Sequence, residues 1–437
     1  MSKNKTGFAG LSRRQILAGG AVAATGAVAG AALIARPGDE SGPRQPYFLA
    51  LQDALRRAAI VTPTLIVDRD RLDRNVDTLT GHLPAGMAYR IVAKSLPSPE
   101  LIAHIRARAG TDRLMTFNLP MLQSLSERMP DAGQLLGKPL PVEAARAYFA
   151  SLPRGLADTA DRIQWLIDTP QRLAQYEALA ASVGRPLRVN LEIDVGLHRG
   201  GFEPGDALAS VLDATQRSPH LELAGFMGYE PHLPKLPTLF GWRDRALQSA
   251  WQTYQAAQDQ ARTRFGDSAV AAMTRNAAGS PTYRFYRDTH LASEISAGSC
   301  LVKPTDFDTP LLEPHEAASF IATPVIKSLD RTRLPGLEFM TGFNRLTNPN
   351  LDKTVFIYGG HWLADPVDPP GLQYNEIFGR SSNQEMLNGG PGVDIEVDDY
   401  VFFRPHQSEA VFLQFGDIAV YSDGEIVDRW PVFPVSA

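Results

Sequence analysis

The chain has 437 residues, of which 44% are hydrophobic and 21% charged, and this is the composition of an ordinary globular protein. Its formal net charge of −5 at pH 7 argues against a nucleic acid partner, because nucleic-acid-binding proteins display basic patches. The single cysteine, Cys300, excludes an intrachain disulfide bond, so the stability of the fold must come from packing.

The first 36 residues have the pattern of a targeting segment. Their only charges are basic, and the stretch Ser12-Arg13-Arg14-Gln15-Ile16-Leu17 precedes a run of small apolar residues that reaches Ala35. The pattern resembles a bacterial twin-arginine export signal, and the run is too weakly hydrophobic to favour a stable transmembrane helix. We therefore expect the twin-arginine export machinery to carry the folded chain to the periplasm, with an uncleaved membrane anchor as the alternative.

Residues 37–61 contain a polar linker and an amphipathic helix from Tyr47 to Ala59, and from Thr62 onward strand and helix patterns alternate. Repeated strand–helix units of this number predict an α/β fold, a TIM-type (β/α)8 barrel over residues 62–304. The alternative, an open doubly wound sheet, is typically marked by a Gly-x-Gly-x-x-Gly turn after its first strand, which is absent here. The eight predicted strands are Thr64–Asp68, Tyr89–Lys94, Arg113–Phe117, Gln164–Asp168, Leu187–Asp194, Leu223–Tyr229, Ala271–Asn276 and Glu294–Ala297.

Beyond residue 304 the pattern changes to short strands separated by turns rich in Gly, Pro and Asp. Helical periodicity fades over the same residues, so we predict a C-terminal all-β domain over residues 305–437. Its clearest predicted strands are Thr354–Tyr358, Tyr400–Arg404, Ala410–Phe415, Ile418–Tyr421 and Glu425–Trp430.

Lys94 stands at the end of the second predicted strand. Arg90, Val92 and Lys94 fall on one face of that strand at a period of two, so the face that carries Arg90 and Lys94 points at something polar. Pro97 ends the strand, and Ser98 is a suitable N-cap for a helix that begins at Pro99. A lysine at the carboxyl end of a barrel strand is in a position typical of catalytic residues, although a lysine taken alone is usually a solvated surface group.

Four motifs together carry a resemblance to a known family. They are Thr62–Asp68, the strand that ends in Lys94, the stretch Glu192–Gly201, and Glu294–Ser299. In this order they resemble the alanine racemase-like fold of pyridoxal-phosphate enzymes, and they are most similar to its D-threonine aldolase and D-serine dehydratase branch. The resemblance covers roughly residues 50–437.

The resemblance implies a role for several residues. Lys94 would hold pyridoxal 5'-phosphate as a Schiff base, Arg199 would lie near the phenolic oxygen of the cofactor, and Tyr229 would lie by its pyridine ring. His232 has two interpretations, a catalytic base or a residue that caps the loop, because histidine titrates near neutrality but is also common on surfaces. Small and hydroxyl-bearing residues at two strand ends would form the phosphate cradle: Gly279, Ser280, Thr282, Gly298 and Ser299.

The chain also departs from the family pattern. Enzymes of this branch bind a divalent metal through a histidine followed two residues later by cysteine or aspartate. Here His406 matches, but Ser408 is a poor ligand, so either Glu409 substitutes for it or no metal is bound. Cys300 follows Ser299 where the family usually has tyrosine.

The resemblance implies a lyase, an aldolase or a dehydratase, that acts on a D-configured β-hydroxy amino acid, and by analogy a homodimer. A racemase is the alternative within the same chemistry, since loss of the metal weakens aldol cleavage and favours reaction at Cα. Two alternatives of other classes are a protein that binds pyridoxal phosphate without catalysis and a sugar- or phosphate-handling barrel with an incidental lysine.

Overall fold

The computed structural model of the chain describes residues 37–333, 336 and 348–434, so the predicted export signal at residues 1–36 lies outside the described residues. The chain divides into two compact units. One contains residues 37–52, Thr323–His361 and Pro366–Phe402, and the other contains Asp53–Ala322, Trp362–Asp365 and the residues from Phe403 onward. The predicted boundary at residues 304 and 305 does not coincide with this division.

The larger unit is built around a closed barrel of eight parallel strands, as predicted. Each strand pairs in parallel with the next along the chain, and the last pairs with the first through Ala88 and Glu294. Strand β1, Thr64–Asp68, precedes the barrel, so its strands are numbered from β2. They are β2 (Ala88–Val92), β3 (Arg113–Thr116), β4 (Gly133–Leu136), β5 (Ile163–Ile167), β6 (Leu187–Ile193), β7 (Leu221–Gly228), β8 (Thr274–Ala277) and β9 (Glu294–Ala297).

One barrel strand was wrongly predicted. Strand β1 pairs antiparallel with β10 (Ser319–Leu329) and parallel with β16 (Asp417–Ser422), so it belongs to a second sheet. Its place in the barrel is taken by β4, which the sequence pattern missed. All five residues of β1 are buried, and burial on both faces gives a strand of any sheet the apolar run that is typical of barrel strands. Strand β4 begins with Gly133 and Gln134, and these two residues weaken its apolar pattern.

Helices connect the barrel strands, and side-chain caps fix where several begin. Ser98 accepts a hydrogen bond from the backbone N–H of Leu101, which confirms the predicted N-cap. Asn118 and Thr169 cap later helices in the same way. The helices are Pro46–Arg57, Arg69–His82, Pro99–Ala109, Leu119–Arg128, Val142–Ser151, Pro170–Val183, Asp206–Arg217, Trp242–Phe265, Asp267–Ala272, Ser299–Val302 and Ser408–Val411. No helix in the described ranges is long and apolar enough to cross a membrane.

A buried ion pair lies inside the barrel and accounts for Arg90. Its guanidinium donates to both carboxylate oxygens of Glu294, at 2.6 and 3.0 Å, and Arg113 donates to the same carboxylate at 2.6 Å. Burial alone would raise the pKa of Glu294, but the two arginines hold that pKa below its ordinary value. The prediction that Arg90 faces a polar group is therefore confirmed, and the group is structural.

The remaining strands form sheets in both units. In the larger unit β1 lies between the first part of β10 and β16, and β16 pairs antiparallel with β17. In the smaller unit the second part of β10 pairs with β11, which pairs with β14. The predicted strand Ala410–Phe415 is wrong, because these residues lie in the helix Ser408–Val411 and a following 3-10 turn. The strands beyond the barrel are β10, β11 (Lys353–Ile357), β12 (Ala364–Asp368), β13 (Gln373–Tyr374), β14 (Met386–Gly389), β15 (Tyr400–Pro405), β16 and β17 (Glu425–Pro431).

Candidate active site

A cavity lies at the carboxyl ends of the barrel strands. This is the end of a (β/α)8 barrel at which active sites are built, because loops from several strands converge there. Of the ten residues predicted for the site, seven line the cavity: Lys94, Arg199, Tyr229, Gly279, Ser280, Gly298 and Ser299. Thr282, His232 and His406 are not among the lining residues.

Lys94 lies in a 3-10 turn, Ala93–Ser95, that follows directly on strand β2. Its amine is 3.5 Å from Oε1 of Glu409 and 5.2 Å from the centroid of the Phe117 ring. The side chain is 43% exposed, so the amine is accessible from the cavity while an aromatic face and a carboxylate position it. This is the geometry that a lysine needs to react with the carbonyl group of a cofactor.

Arg199 and Tyr229 form a second wall of the cavity. The Arg199 guanidinium donates to Oε1 of Glu192 at 3.2 Å and lies 5.3 Å from the centroid of the Tyr229 ring. Burial raises the pKa of Tyr229 to about 12, and the neighbouring Glu230 also acts in that direction, so the phenol stays neutral at physiological pH. The prediction that Arg199 and Tyr229 share a site with Lys94 agrees with this geometry.

The predicted phosphate cradle is held together by its own hydroxyl groups. Oγ of Ser280 accepts hydrogen bonds from the backbone N–H groups of Gly298 and Cys300, at 3.0 and 3.1 Å. Oγ1 of Thr282 accepts one from Gly279 at 3.1 Å. Thr282 therefore shapes the cradle from outside the cavity, and the hydroxyls join the loops after β8 and β9 before any ligand binds.

The glycines of the cradle leave no room for a side chain. A Cβ atom at Gly279 would overlap the ring of Tyr229, and one at Gly298 would lie 2.8 Å from the carbonyl oxygen of Val92. Glycine is therefore required at both positions, because the Tyr229 ring and the Val92 carbonyl group occupy the space that a Cβ atom would need. A reactive amine, a neutral phenol and a glycine cradle in one cavity fit pyridoxal phosphate.

Cys300 is buried next to the cradle and does not line the cavity. Burial raises the pKa of its thiol to about 12, so it is a neutral packing residue here.

The residues near His406 do not fit a divalent metal site. Nε2 of His406 lies 2.8 Å from Oδ2 of Asp365, and the hydroxyl of Ser408 donates to Oε2 of Glu409 at 3.2 Å. Among the described residues one group of three side chains could hold an ion, namely Asp194, His198 and Glu203, and His406 is not in it. His406 therefore has one carboxylate neighbour, Asp365, and among the described residues it belongs to no group of three possible metal ligands.

His232 lies away from the cavity. The chain turns after Tyr229, so that His232 directly precedes the 3-10 turn Leu233–Lys235 and its ring approaches the backbone at Gly196. Its Nδ1 is buried without a hydrogen-bond partner, and burial lowers the pKa of the ring. The structure does not bring this histidine to the cavity that holds Lys94, so its position does not match the predicted role of a catalytic base there.

Three functional residues were missed by sequence reasoning. Gly137 lines the cavity at the end of β4, the strand that the pattern did not reveal. Phe117 was placed only as a strand residue, and Glu230 was passed over although it follows Tyr229. Glu230 is buried beneath the cradle. Burial raises the pKa of its carboxyl to about 7, although hydrogen bonds with Thr282 and Tyr286 act to lower that pKa. A glutamate after a strand normally indicates a solvated loop, so no sequence signal marked this one.

Comparison with known proteins identifies the family of the chain. The family model described as "Alanine racemase, N-terminal domain" matches residues 67–306, more than half of the chain. The 3-hydroxy-D-aspartate aldolase of Paracoccus denitrificans is 23% identical over 62% of this chain and 67% of its own length.

Two solved structures have the same fold. The D-threonine aldolase from Filomicrobium marinum has a TM-score of 0.68 and 19% identity, and the match covers 86% of this chain and 95% of that one. The D-threo-3-hydroxyaspartate dehydratase from Delftia sp. HT23 has a TM-score of 0.65 and 16% identity, covering 86% and 98%. The barrel, the position of Lys94 and the match to the family model together show that the chain belongs to the alanine racemase N-terminal domain family.

Proposed function

We propose that this protein is a pyridoxal-phosphate-dependent lyase that acts on a D-configured β-hydroxy amino acid. The observation that carries the proposal is the presence of the Lys94 amine and the Gly279 and Gly298 cradle in one cavity at the catalytic end of the barrel. The names of the similar proteins, two aldolases and a dehydratase of D-configured hydroxy amino acids, support the same reaction class.

The residues that line the cavity would have different roles in such a reaction. Lys94 would hold the cofactor through its aldehyde, and the cradle residues Gly279, Ser280, Gly298 and Ser299, which line the same cavity, would hold its phosphate group. Bound pyridoxal phosphate supplies a ring that withdraws electrons from the bond to be broken at Cα of the substrate. With substrate in the cavity, the Lys94 amine would be in a position to move a proton at Cα.

The other walls orient the reactants and exclude water. Tyr229 is a neutral, largely buried phenol, and its ring packs against Gly279 and Arg199. Glu192 fixes the guanidinium of Arg199, which remains half exposed at the cavity. A fixed cation of this kind can bind the phenolic oxygen of the cofactor or the carboxylate of an amino acid.

An absorbance spectrum of the purified protein tests the proposal. We expect a band at roughly 410–430 nm, the range typical of a lysine-linked pyridoxal group, and the band should shift when D-threonine or D-3-hydroxyaspartate is added. The Lys94→Ala variant should lose the band. A protein that lacks the band, or whose Lys94→Ala variant keeps it, would contradict the proposal, and a band that no amino acid shifts would indicate binding without catalysis.

The products separate the remaining alternatives. An aldolase releases an aldehyde and glycine from D-threonine, whereas a dehydratase releases ammonia and a keto acid. A racemase exchanges the D and L forms without releasing either. Coupled assays for aldehyde and for ammonia, with chiral chromatography of the amino acid, distinguish all three.

We also propose, from the sequence pattern at Arg13 and Arg14, that the twin-arginine machinery exports the chain to the periplasm, and we propose a homodimer by analogy. Replacing both arginines with lysine should retain the protein in the cytoplasmic fraction. Light scattering of the purified protein should give twice the mass of the monomer. An unchanged periplasmic fraction or a monomeric mass would contradict the respective proposal.

A further inference from the structure

Glu409 faces Lys94 inside the candidate active site. It lies in the helix Ser408–Val411, which follows strand β15, and it lines the cavity together with Lys94, Arg199 and Tyr229. Its Oε1 is 3.5 Å from the Lys94 amine, and its side chain is 32% exposed. It therefore combines direct contact with the reactive amine and access from the cavity.

The contacts of the neighbouring residues direct the Glu409 carboxylate toward the amine. The Ser408 side chain is fully buried, and its hydroxyl donates to Oε2 of Glu409, so the other oxygen, Oε1, faces Lys94. His406 is turned away toward Asp365. The group of this segment that lines the cavity is thus the Glu409 carboxylate. The side chains beside it are not arranged to bind a metal ion.

The position of Lys94 Nζ also locates the substrate. The amine of an amino acid substrate takes the place of this nitrogen on the cofactor, and the β-hydroxyl oxygen is three bonds from the substrate nitrogen. A carboxylate in contact with Lys94 Nζ therefore lies within reach of the β-hydroxyl group. General base catalysis requires such proximity before any other property.

We propose that Glu409 is the catalytic base that removes the proton from the β-hydroxyl group, so that this enzyme cleaves its substrate without a divalent metal ion. The inference rests on the proposed function. Glu409 accepts the hydroxyl proton, the O–H electron pair becomes the second bond of the aldehyde C=O group, and the Cα–Cβ bond breaks. The electrons of that bond remain at Cα, which receives a proton from Lys94 to give glycine. The proton on Glu409 then returns to solvent.

The test compares Glu409→Gln with wild-type enzyme loaded with cofactor. We expect the variant to keep the absorbance band, its shift with D-threonine, and exchange of the Cα proton with D₂O, while aldehyde release falls at least 100-fold. Glu409→Asp keeps the carboxylate and should recover part of the loss. Glu127→Gln, an exposed glutamate on the helix Leu119–Arg128, is the matched control and should keep wild-type rates.

Two measurements on the wild-type protein complete the test. Calorimetric titration with Mn²⁺ alone should show no binding that depends on His406, and dialysis against a chelator should leave aldehyde release unchanged. Binding of one Mn²⁺ that His406→Ala abolishes, or loss of activity that added metal restores, would overturn the inference. So would wild-type aldehyde release by Glu409→Gln. Loss of the absorbance band or of the D-threonine response in the wild-type protein would instead overturn the proposed function.

Discussion

At the scale of single residues, Gly279 determines how closely the Tyr229 ring packs against the backbone of the phosphate cradle. A methyl group at this position overlaps Cε2 of Tyr229, so Gly279→Ala must displace the ring, which by the proposed function would flank the cofactor. We expect the affinity for pyridoxal phosphate to fall about tenfold or more, which corresponds to about 1.4 kcal/mol. Titration of the cofactor-free protein with pyridoxal phosphate, followed by absorbance, gives the dissociation constant.

Gly81→Ala is the matched control for this prediction. Gly81 is exposed in the helix Arg69–His82 and a Cβ atom there meets nothing within 4 Å. The substitution should leave cofactor affinity unchanged and stabilise the helix by about 0.5–1 kcal/mol. If Gly279→Ala bound the cofactor as tightly as wild type, the Tyr229 ring would not be part of the surface that contacts the cofactor.

The residues that could be predicted from the sequence are those whose function follows from backbone position. Lys94 and the cradle glycines stand at strand ends, and strand ends of a barrel converge whatever the neighbouring side chains are. Glu409 and His232 depend instead on the direction of a short turn. The residues directly after Glu409 were predicted as the strand Ala410–Phe415, whereas Glu409 lies in the short helix Ser408–Val411, and the direction of its side chain depends on that helix. So short a segment shows no periodicity from which a helix could be distinguished from a strand.

At the scale of helices, side-chain caps set where each barrel helix begins. Thr169 accepts a hydrogen bond from the backbone N–H of Arg172 at 3.2 Å and lies at the start of the helix Pro170–Val183. We expect Thr169→Ala to lower the free energy of unfolding by about 1 kcal/mol, since one helix N–H loses its partner. Thr169→Ser keeps the hydroxyl and should stay close to wild type in urea denaturation. An equal loss in both variants would show that the methyl group, and not the cap, matters.

Inside the barrel, a salt bridge joins three strands. Glu294→Gln removes the charge that balances Arg90 and Arg113 on β2 and β3, and Arg90 has no route to solvent because it is 2% exposed. We expect a loss of about 3–5 kcal/mol, the cost of an unbalanced buried charge. Glu222→Gln makes the same change in an exposed pair with Arg188 and should cost at most about 1 kcal/mol. Comparable losses in urea denaturation of the two variants would contradict the assignment of Arg90 as a buried structural charge.

The strands show where sequence patterns stop being informative. The pattern gave the correct fold class, because seven of the eight barrel strands could be recognised as apolar runs between helices. It exchanged β1 for β4, since burial on both faces makes a strand of the second sheet look like a barrel strand. Pairing partners distinguish the two, and those are set by contacts between Leu65 and Ile321 or Ile418, which lie hundreds of residues apart in the chain.

At the scale of the whole molecule, two buried groups give opposite dependences of stability on pH. Burial raises the pKa of Glu230 from 4.5 to about 7, so the folded protein holds a proton that the unfolded chain has lost. Stability from this group therefore falls as the pH rises from 4.5 to 7. Burial lowers the pKa of His315 from 6.5 to about 4, and Lys303 and Arg284 act in the same direction. Stability from His315 falls as the pH drops from 6.5 to 4, because the unfolded chain then binds a proton that the folded protein does not.

Each group contributes about 3 kcal/mol over its range, and the two contributions cancel where the ranges overlap. Single variants should separate them. Relative to wild type, Glu230→Gln should gain about 3 kcal/mol of stability as the pH rises from 4.5 to 7, because it no longer carries the raised carboxyl pKa. As the pH rises from 4 to 6.5, His315→Gln should lose a similar amount of stability relative to wild type. A glutamine there can still contact the Tyr283 hydroxyl, which lies 2.7 Å from the histidine ring. Urea denaturation of the cofactor-free proteins at pH 5, 6 and 7.5 measures both differences. Parallel pH profiles for wild type and Glu230→Gln would mean that Glu230 is ionised in the folded protein, and the cradle would then hold its phosphate against a buried negative charge.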